Sequence, residues 1–172
     1  MRIAGLTASA VLTTAAVLAV TAGPSQAAAP AQTTVPACSA ATTEVSVQNV
    51  SRPVNHQLLT LTNTGRTACH AYGHPYLGFD DDQAVTRVVD ESRPQAVVTL
   101  APGESAYAGI GLSAADGSGT HGRWAHTLRV FLDNGSGSAD EPAVITLPRD
   151  TWIDDTAAVT YWQADPSDAL MW

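Results

Sequence analysis

The chain has 172 residues, of which eight are basic and sixteen acidic, so its formal net charge at pH 7 is −8. All of the basic residues are arginines. This acidic balance argues against nucleic acid and anionic membrane surfaces as partners, because both attract basic patches. The lack of lysine in the sequence excludes Schiff-base chemistry and lysine acid–base catalysis.

Residues 1–27 are typical of a cleaved signal peptide. Arg2 precedes a long apolar run, and residues 25–27 (Ser-Gln-Ala) offer the small-x-small pattern that signal peptidase reads. We predict cleavage after Ala27, with Ala29 as the second choice, and a secreted, extracellular product without a stable membrane anchor. An uncleaved anchor is the alternative, which the alanine-rich run disfavours. Cleavage removes one arginine and no acidic residue, which takes the formal charge from −8 to −9.

Composition divides the rest of the chain into three parts. Residues 28–37 are rich in alanine, proline and threonine, which predicts a flexible linker. Residues 38–163 consist of short runs separated by turn residues, as expected of one folded domain. Residues 164–172 form a polar C-terminal tail, in which we expect Trp172 to be disordered.

The folded part shows strand patterns throughout. In the clearest runs, residues two apart share a face, as Val45 does with Val47 and Leu59 with Leu61. Glycine, proline and asparagine turns separate the runs, and no segment keeps a helical period for long. The pattern predicts an all-β fold, an immunoglobulin-like antiparallel β-sandwich of about seven to nine short strands, with a small barrel as the alternative. The predicted strands cover residues 43–50, 57–63, 76–79, 85–89, 95–100, 105–112, 126–132, 143–147 and 157–163.

Cys38 and Cys69 are the only cysteines in the sequence. In an exported protein, an even number of cysteines predicts a disulfide. Two free thiols or two metal ligands are the alternative. If the bridge forms, neither sulfur is available as a nucleophile.

Several motifs follow one another in a recognisable order. After Cys38 come Leu59–Gly65 (LTLTNTG), Thr67–Pro75 (TACHAYGHP) and Leu100–Ala106 (LAPGESA). Together they resemble the secreted actinobacterial family known as domain of unknown function 4232, over about residues 38–162. That family typically shows a Leu-x-Leu-x-Asn strand, a Thr-x-Cys-x-Leu-x-Gly-Tyr-Pro segment and a Leu-x-Pro-Gly-x-x-Ala turn. The resemblance implies a fold and an extracellular location, but no activity.

The sequence departs from the family pattern at two positions. Ala71 stands where the family usually has a larger apolar residue, and His74 replaces the usual tyrosine. Many relatives also carry further cysteines later in the chain, which this sequence lacks.

No motif selects a catalytic centre or a cofactor site. There is no Gly-x-Ser-x-Gly nucleophile elbow. His70 and His74 are four residues apart, a spacing that pairs metal ligands on a helix, but Gly73 and Pro75 disfavour a helix there. We therefore predict no catalytic residue, no metal and no cofactor. We also expect the five histidines to be scattered, with no histidine–carboxylate–hydroxyl set within hydrogen-bond reach.

An acidic run from Asp80 to Asp82 follows an aromatic segment and a rigid Gly-His-Pro bend. With Asp90 or Glu91 it would supply the carboxylate oxygens that Ca²⁺ prefers, but no EF-hand spacing supports this, and a solvated acidic loop is the favoured interpretation. Aromatic side chains are strong binding anchors when they are exposed. We therefore predict binding residues around this bend, namely Tyr72, His74, Tyr76, Phe79, Asp80, Asp81 and Asp82.

These features favour a secreted, non-enzymatic module that binds an extracellular protein or a glycan of the cell envelope. The alternative is a small extracellular hydrolase or metal-dependent protein whose site is assembled only in the fold. A purely structural or inhibitor-like domain is a third possibility. A deep pocket with converging titratable groups would favour the enzyme, and an aromatic face or an open edge strand would favour binding.

Overall fold

A computed structural model describes residues 34–172, which form a sandwich of two β-sheets. The predicted signal peptide and residues 28–33 of the predicted linker lie outside the described residues. The first sheet contains, in spatial order, β1 (Thr43–Asn49), β2 (His56–Asn63), β6 (Ser105–Gly111), β9 (Ala158–Val159) and β4 (Arg87–Val88). The second contains β5 (Val98–Leu100), β3 (Cys69–Phe79), β7 (Arg123–Asp133) and β8 (Ala143–Ile153).

Neighbouring strands are antiparallel except for β4 and β9, which pair in parallel. A single 3₁₀ turn (Asp90–Ser92) follows β4, and one short helix, α1 (Pro166–Ala169), follows β9. Among the described residues, no helix is long and apolar enough to span a membrane. The predicted all-β sandwich is therefore confirmed.

The core lies between the inner faces of the two sheets. Because side chains alternate along a strand, residues two apart on the longer strands share the side that faces the core. Leu59 and Leu61 of β2 are fully buried, as the alternation predicts. Trp162, which is only 1% exposed, is the largest fully buried side chain of the described part of the chain. Further core residues are Leu77, Phe79, Ala106, Ala108, Ile110, Leu128 and Val130.

Two strands continue through residues that the sequence pattern interprets as strand ends. β3 begins at Cys69 rather than at Tyr76, and β8 continues past Pro148 to Ile153. In both strands a register shift against β7 absorbs the residues that interrupt the pattern. A β-bulge lets pairing continue on both sides of an irregular stretch, so turn-forming residues did not end either strand.

The N-terminal end of the domain is fixed to β3. The predicted bond between Cys38 and Cys69 is present, and the Cys38 N–H donates to the His70 carbonyl at 2.9 Å. The His70 N–H donates to the Pro36 carbonyl at 2.8 Å. The last residues of the predicted linker are therefore held against β3.

The C-terminal segment lies against the first sheet. Ala169 of α1 is buried, and Gly109 of β6 makes this contact possible because a Cβ atom there would overlap the Ala169 carbonyl oxygen. The Nε2 atom of His56 lies 3.3 Å from the Trp172 carbonyl oxygen. The C-terminal segment thus packs on β2 and β6 rather than extending away from the domain.

Replacing Cys38 and Cys69 by serine is expected to lower the free energy of unfolding by about 3–4 kcal/mol in the chain-entropy description of disulfides. The bridge closes a sequence separation of 31 residues, and the unfolded chain gains freedom without it. Urea unfolding measures the loss. A reducing agent should reproduce it in the wild-type protein and leave the double variant unchanged. Two titratable thiols in the native wild-type protein would contradict the bridge.

Gly109→Ala is expected to cost about 1–3 kcal/mol, because the new methyl group would displace the Ala169 carbonyl. Gly111→Ala on the same strand is the matched control, since its Cβ would meet nothing closer than 3.5 Å. Urea unfolding and limited proteolysis of the C-terminal segment measure the two effects. Equal stability of both variants would show that α1 does not depend on this contact.

Candidate functional site

A β-bulge in β3 is the centre of the candidate site. Tyr72 pairs with Asp133 and Tyr76 with Phe131, so four steps along β3 are matched by two steps along β7. The extra residues include Gly73, whose φ of +54° lies in the left-handed region that favours glycine. A Cβ atom there would also lie only 2.7 Å from Asp133 Oδ2. The bulge therefore requires glycine both for its backbone angle and for its lack of a side chain.

A cavity, which we call the bulge cleft, opens between β3, residues 93–98 and Tyr161. Its volume is about 420 Å³, which is within the usual range of ligand sites. The Trp162 N–H donates to the Gly73 carbonyl at 3.1 Å, which joins one wall of the cleft to the bulge. The side chains that give the cleft its chemistry are His74, Tyr76, Arg93, Asp133 and Tyr161.

Aromatic contacts hold the walls of the bulge cleft together. The ring of His74 lies 4.6 Å from that of Tyr76 and 5.1 Å from that of Tyr161, measured between centroids. The Arg93 guanidinium lies over the Tyr161 ring at 4.7 Å and donates a hydrogen bond to its hydroxyl. Tyr161 is buried under these neighbours. It therefore supports the cleft more than it offers open surface to a ligand.

Burial and nearby charges set the protonation of the cleft. Burial lowers the pKa of His74, although the carboxylates of Asp133 and Asp90 act in the opposite direction. Burial and the neighbouring Asp133 raise the pKa of Tyr76. At pH 7 the imidazole is therefore neutral and the phenol is protonated. A neutral imidazole provides one donor and one acceptor, both of which suit a ligand.

Tyr76 also borders a second cavity, of about 400 Å³, on the outer face of the second sheet. We call it the sheet-face groove; Asp81, Asp82 and Arg129 line it as well. The Arg129 Nη2 donates to the Asp82 carbonyl, while its Nε is buried without a hydrogen-bond partner in the described part of the chain. Gly78 leaves room for the guanidinium, since a Cβ there would lie 3.2 Å from Nη2.

The structure brings together several of the sequence-predicted residues. His74 and Tyr76 line the bulge cleft, and Tyr76, Asp81 and Asp82 line the sheet-face groove. Tyr72 lies before the bulge and borders neither cavity. Tyr76 is therefore the one predicted residue that the two cavities share.

The prediction that Phe79 is a binding residue is wrong, because its side chain is 1% exposed and belongs to the core. The physical reason is the period of two along a strand. Phe79 shares the inward face of Leu77, whereas Tyr76 is on the opposite face. An aromatic residue next to a binding surface is thus not itself part of that surface.

Asp80 is a structural anchor rather than a free acidic ligand. Its Oδ1 accepts hydrogen bonds from the backbone N–H groups of His126 and Thr127, both at 2.9 Å. Arg123 reaches its Oδ2 at 2.7 Å and the carboxylate of Asp82 at 2.6 Å. Burial alone would raise the pKa of Asp80, but these hydrogen bonds outweigh burial and hold the pKa below its usual value. The carboxylates of Asp80 and Asp82 thus both form ion pairs with the guanidinium of Arg123.

One histidine cluster contradicts the expectation that no such set exists. The Thr120 hydroxyl donates to Asp155, and the His121 Nδ1 lies 2.9 Å from that hydroxyl and 3.4 Å from the carboxylate. The hydrogen bonds from Thr120 lower the pKa of Asp155 to about 2. The imidazole is 87% exposed and borders none of the cavities described above, so the set lacks the enclosed pocket that catalysis uses. Within residues 34–172, no three metal-binding side chains come together.

A model of the domain of unknown function DUF4232 matches residues 38–163. This stretch contains both cysteines, all strands of the sandwich and every residue that lines the bulge cleft. The chain belongs to the DUF4232 family. No curated protein and no solved structure matches it. The family resemblance seen in the sequence is therefore confirmed, and the function has to be inferred from the geometry.

The binding residues predicted from the sequence do not include three residues of the cleft in this DUF4232 domain. Arg93, Asp133 and Tyr161 come from segments far apart in the chain and converge only when the two sheets pack. The adjacent aromatic pair Tyr161–Trp162 is the one local signal. It does not distinguish a core pair from a binding pair, and Trp162 belongs to the core.

Asp80→Asn is expected to destabilise the DUF4232 domain by about 1.5–3 kcal/mol at pH 7, the range for hydrogen bonds to a charged group. The lowered pKa of Asp80 makes its contribution full above the ordinary carboxyl pKa, and the contribution is lost as the pH falls through the folded-state value. Urea unfolding curves of wild type and variant should therefore converge in acid. The control is Asp81→Asn, an exposed neighbour; equal effects of the two substitutions would contradict the anchoring role.

Proposed function

We propose that this protein is secreted after cleavage near Ala27 and serves as a non-enzymatic module that binds a segment of an extracellular protein in the bulge cleft. The observation that carries the proposal is the cleft itself. It is a preformed cavity at a bulge, with aromatic, apolar and charged groups on its walls. Bulges commonly occur next to functional sites, where they redirect side chains.

The composition of the walls favours a polypeptide as the partner. Arg93 and Asp133 supply charges of both signs, and Val97 at the rim is 47% exposed. A protein segment carries apolar side chains together with charges of either sign, so it complements such a surface. A glycan is the other class of partner. A sugar ring needs an open aromatic face, and the face of Tyr161 is covered by Arg93.

Hydrolysis is a weaker proposal for the same cleft. The lowered pKa of His74 keeps its imidazole neutral at pH 7, so it is able to accept a proton as a general base does. However, the hydroxyl groups on the walls of the bulge cleft are the phenols of Tyr76 and Tyr161. Since the pKa of Tyr76 is raised, that phenol is a poor nucleophile at neutral pH.

A photo-cross-linking amino acid at Val97 tests the proposal in the secreted protein. The same group at Gln48, an exposed residue of β1, is the control. We expect Val97 to capture an extracellular protein that Gln48 does not capture. Once purified, this partner should bind Tyr76→Ala and Arg93→Ala about tenfold more weakly than wild type, because central aromatic and arginine residues dominate such interfaces.

Two results would contradict the proposed binding role. The first is equal affinity of the partner for wild type and for both cleft variants, with all proteins shown to be folded by circular dichroism. The second is turnover of ester, peptide or glycoside substrates that His74→Ala abolishes, which would establish an enzyme.

A further inference from the structure

Trp152 is a large aromatic side chain that the bulge cleft does not use. It lies on β8, at the edge of the second sheet, and is 41% exposed. It pairs across the strands with Trp124, whose ring meets it edge-on at a centroid distance of 5.0 Å. Gly122 lies so close that a Cβ atom there would overlap the indole. The Trp152 ring is therefore held in place while much of its surface remains accessible.

Trp152 forms one wall of a cavity that we call the tryptophan cleft. Its volume is about 290 Å³, just below the usual range for ligand sites, which suits a small ligand. The polar side chains on its walls are those of Asn49, Asn55, His56, Ser113 and Asp150, and none of the described arginines lines it. A hydrogen-bonding wall with a carboxylate and without an arginine favours a small ligand rich in hydroxyl groups over an anion.

A chain of hydrogen bonds orients the Asn49 amide. The Thr151 hydroxyl donates to the Pro148 carbonyl at 2.8 Å, so it can only accept from the buried Gln57. Gln57 must therefore present its Nε2, which donates to Thr151 and to Asn49 Oδ1, both at 2.9 Å. With its oxygen engaged, Asn49 has its Nδ2 donors available. Gln57 thus acts as a positioning residue for the tryptophan cleft.

The backbone around this cleft is also unusual. Five steps along β8 are matched by two along β7, so β8 bulges over residues 147–150. Asp150 and Asn55 both adopt left-handed conformations, with φ of 63° and 57°. Asparagine and aspartate adopt this conformation more readily than other residues with a side chain. Two of them line this one cavity.

We propose that the tryptophan cleft binds one neutral sugar unit of a glycan. The apolar C–H face of the sugar ring packs on the Trp152 indole. Its neighbouring hydroxyl groups accept from the Asn49 amide and donate to the Asp150 carboxylate. This site is separate from the bulge cleft and does not depend on the protein-binding role proposed for it.

An array of neutral oligosaccharides of glucose, galactose, mannose and N-acetylglucosamine, probed with the purified secreted protein, tests the proposal. We expect at least one oligosaccharide to bind and to change the tryptophan fluorescence on titration. Trp152→Ala should weaken that binding by about tenfold or more, as the loss of a central aromatic anchor does. Trp152→Phe keeps a smaller aromatic face and should give an intermediate loss, which covers the case that the alanine variant does not fold.

Matched controls separate this site from the rest of the surface. Val144→Ala changes another exposed apolar residue of β8 outside the cleft and should leave the affinity unchanged. Tyr76→Ala should also leave it unchanged, so failure of the sugar site and failure of the bulge cleft are distinguishable. The proposal is overturned if no neutral oligosaccharide binds at millimolar concentration, or if Trp152→Phe and Val144→Ala have equal effects.

Discussion

The bulge cleft depends on the backbone at Gly73. Its left-handed φ allows the bulge, and its lack of a side chain leaves space for the Asp133 carboxylate. Its carbonyl accepts a hydrogen bond from Trp162, which follows the last strand of the other sheet. One residue without a Cβ thus connects three stretches of chain, and each contributes a wall of the cavity. This connection holds the walls of the cleft together.

The alternation of inward-facing and outward-facing residues along a strand is the feature of the fold that can be predicted from the sequence. Since each sheet buries one face, apolar residues two apart mark the inward positions, as at Leu59 and Leu61. Interruptions are harder to interpret. Gly73, Pro75 and Pro148 resemble strand ends because their preferred backbone conformations are typical of turns, yet β3 and β8 continue past them through bulges. Only the pairing partner shows whether such a residue ends a strand or bends it.

Fewer features of the candidate site could be predicted from the sequence, for a different reason. His74 and Tyr76 are close in sequence, so the aromatic segment around the Gly-His-Pro bend predicts both of them together. Arg93 and Asp133 reach the same cavity from other segments, and no spacing rule connects them. The role of Asp80 was also hidden, because a carboxylate that anchors two backbone N–H groups has the same sequence signature as one that faces solvent.

Both cavities with a proposed ligand occur where a strand of the second sheet bulges against β7. A regular strand presents its side chains at fixed spacing on two faces, which leaves little concave surface. The extra residues in β3 and β8 interrupt that spacing and leave space beside the strand pairs that β3 and β8 form with β7. The regular strands then keep the geometry of each cavity rigid. In this sandwich the two bulges therefore shape cavities at the sheet without interrupting the core.

The position of β9 has a consequence for the order of assembly. In the first sheet β9 lies between β6 and β4, and β4 has no other strand as a partner. The sheet stays incomplete, and the place of Trp162 in the core stays empty, until residues 158–163 are present. Pairing of this kind joins distant parts of the chain, which makes folding slow. Because β9 pairs with both β6 and β4, a chain that ends before residue 158 would leave β4 without this partner and the core without the Trp162 side chain.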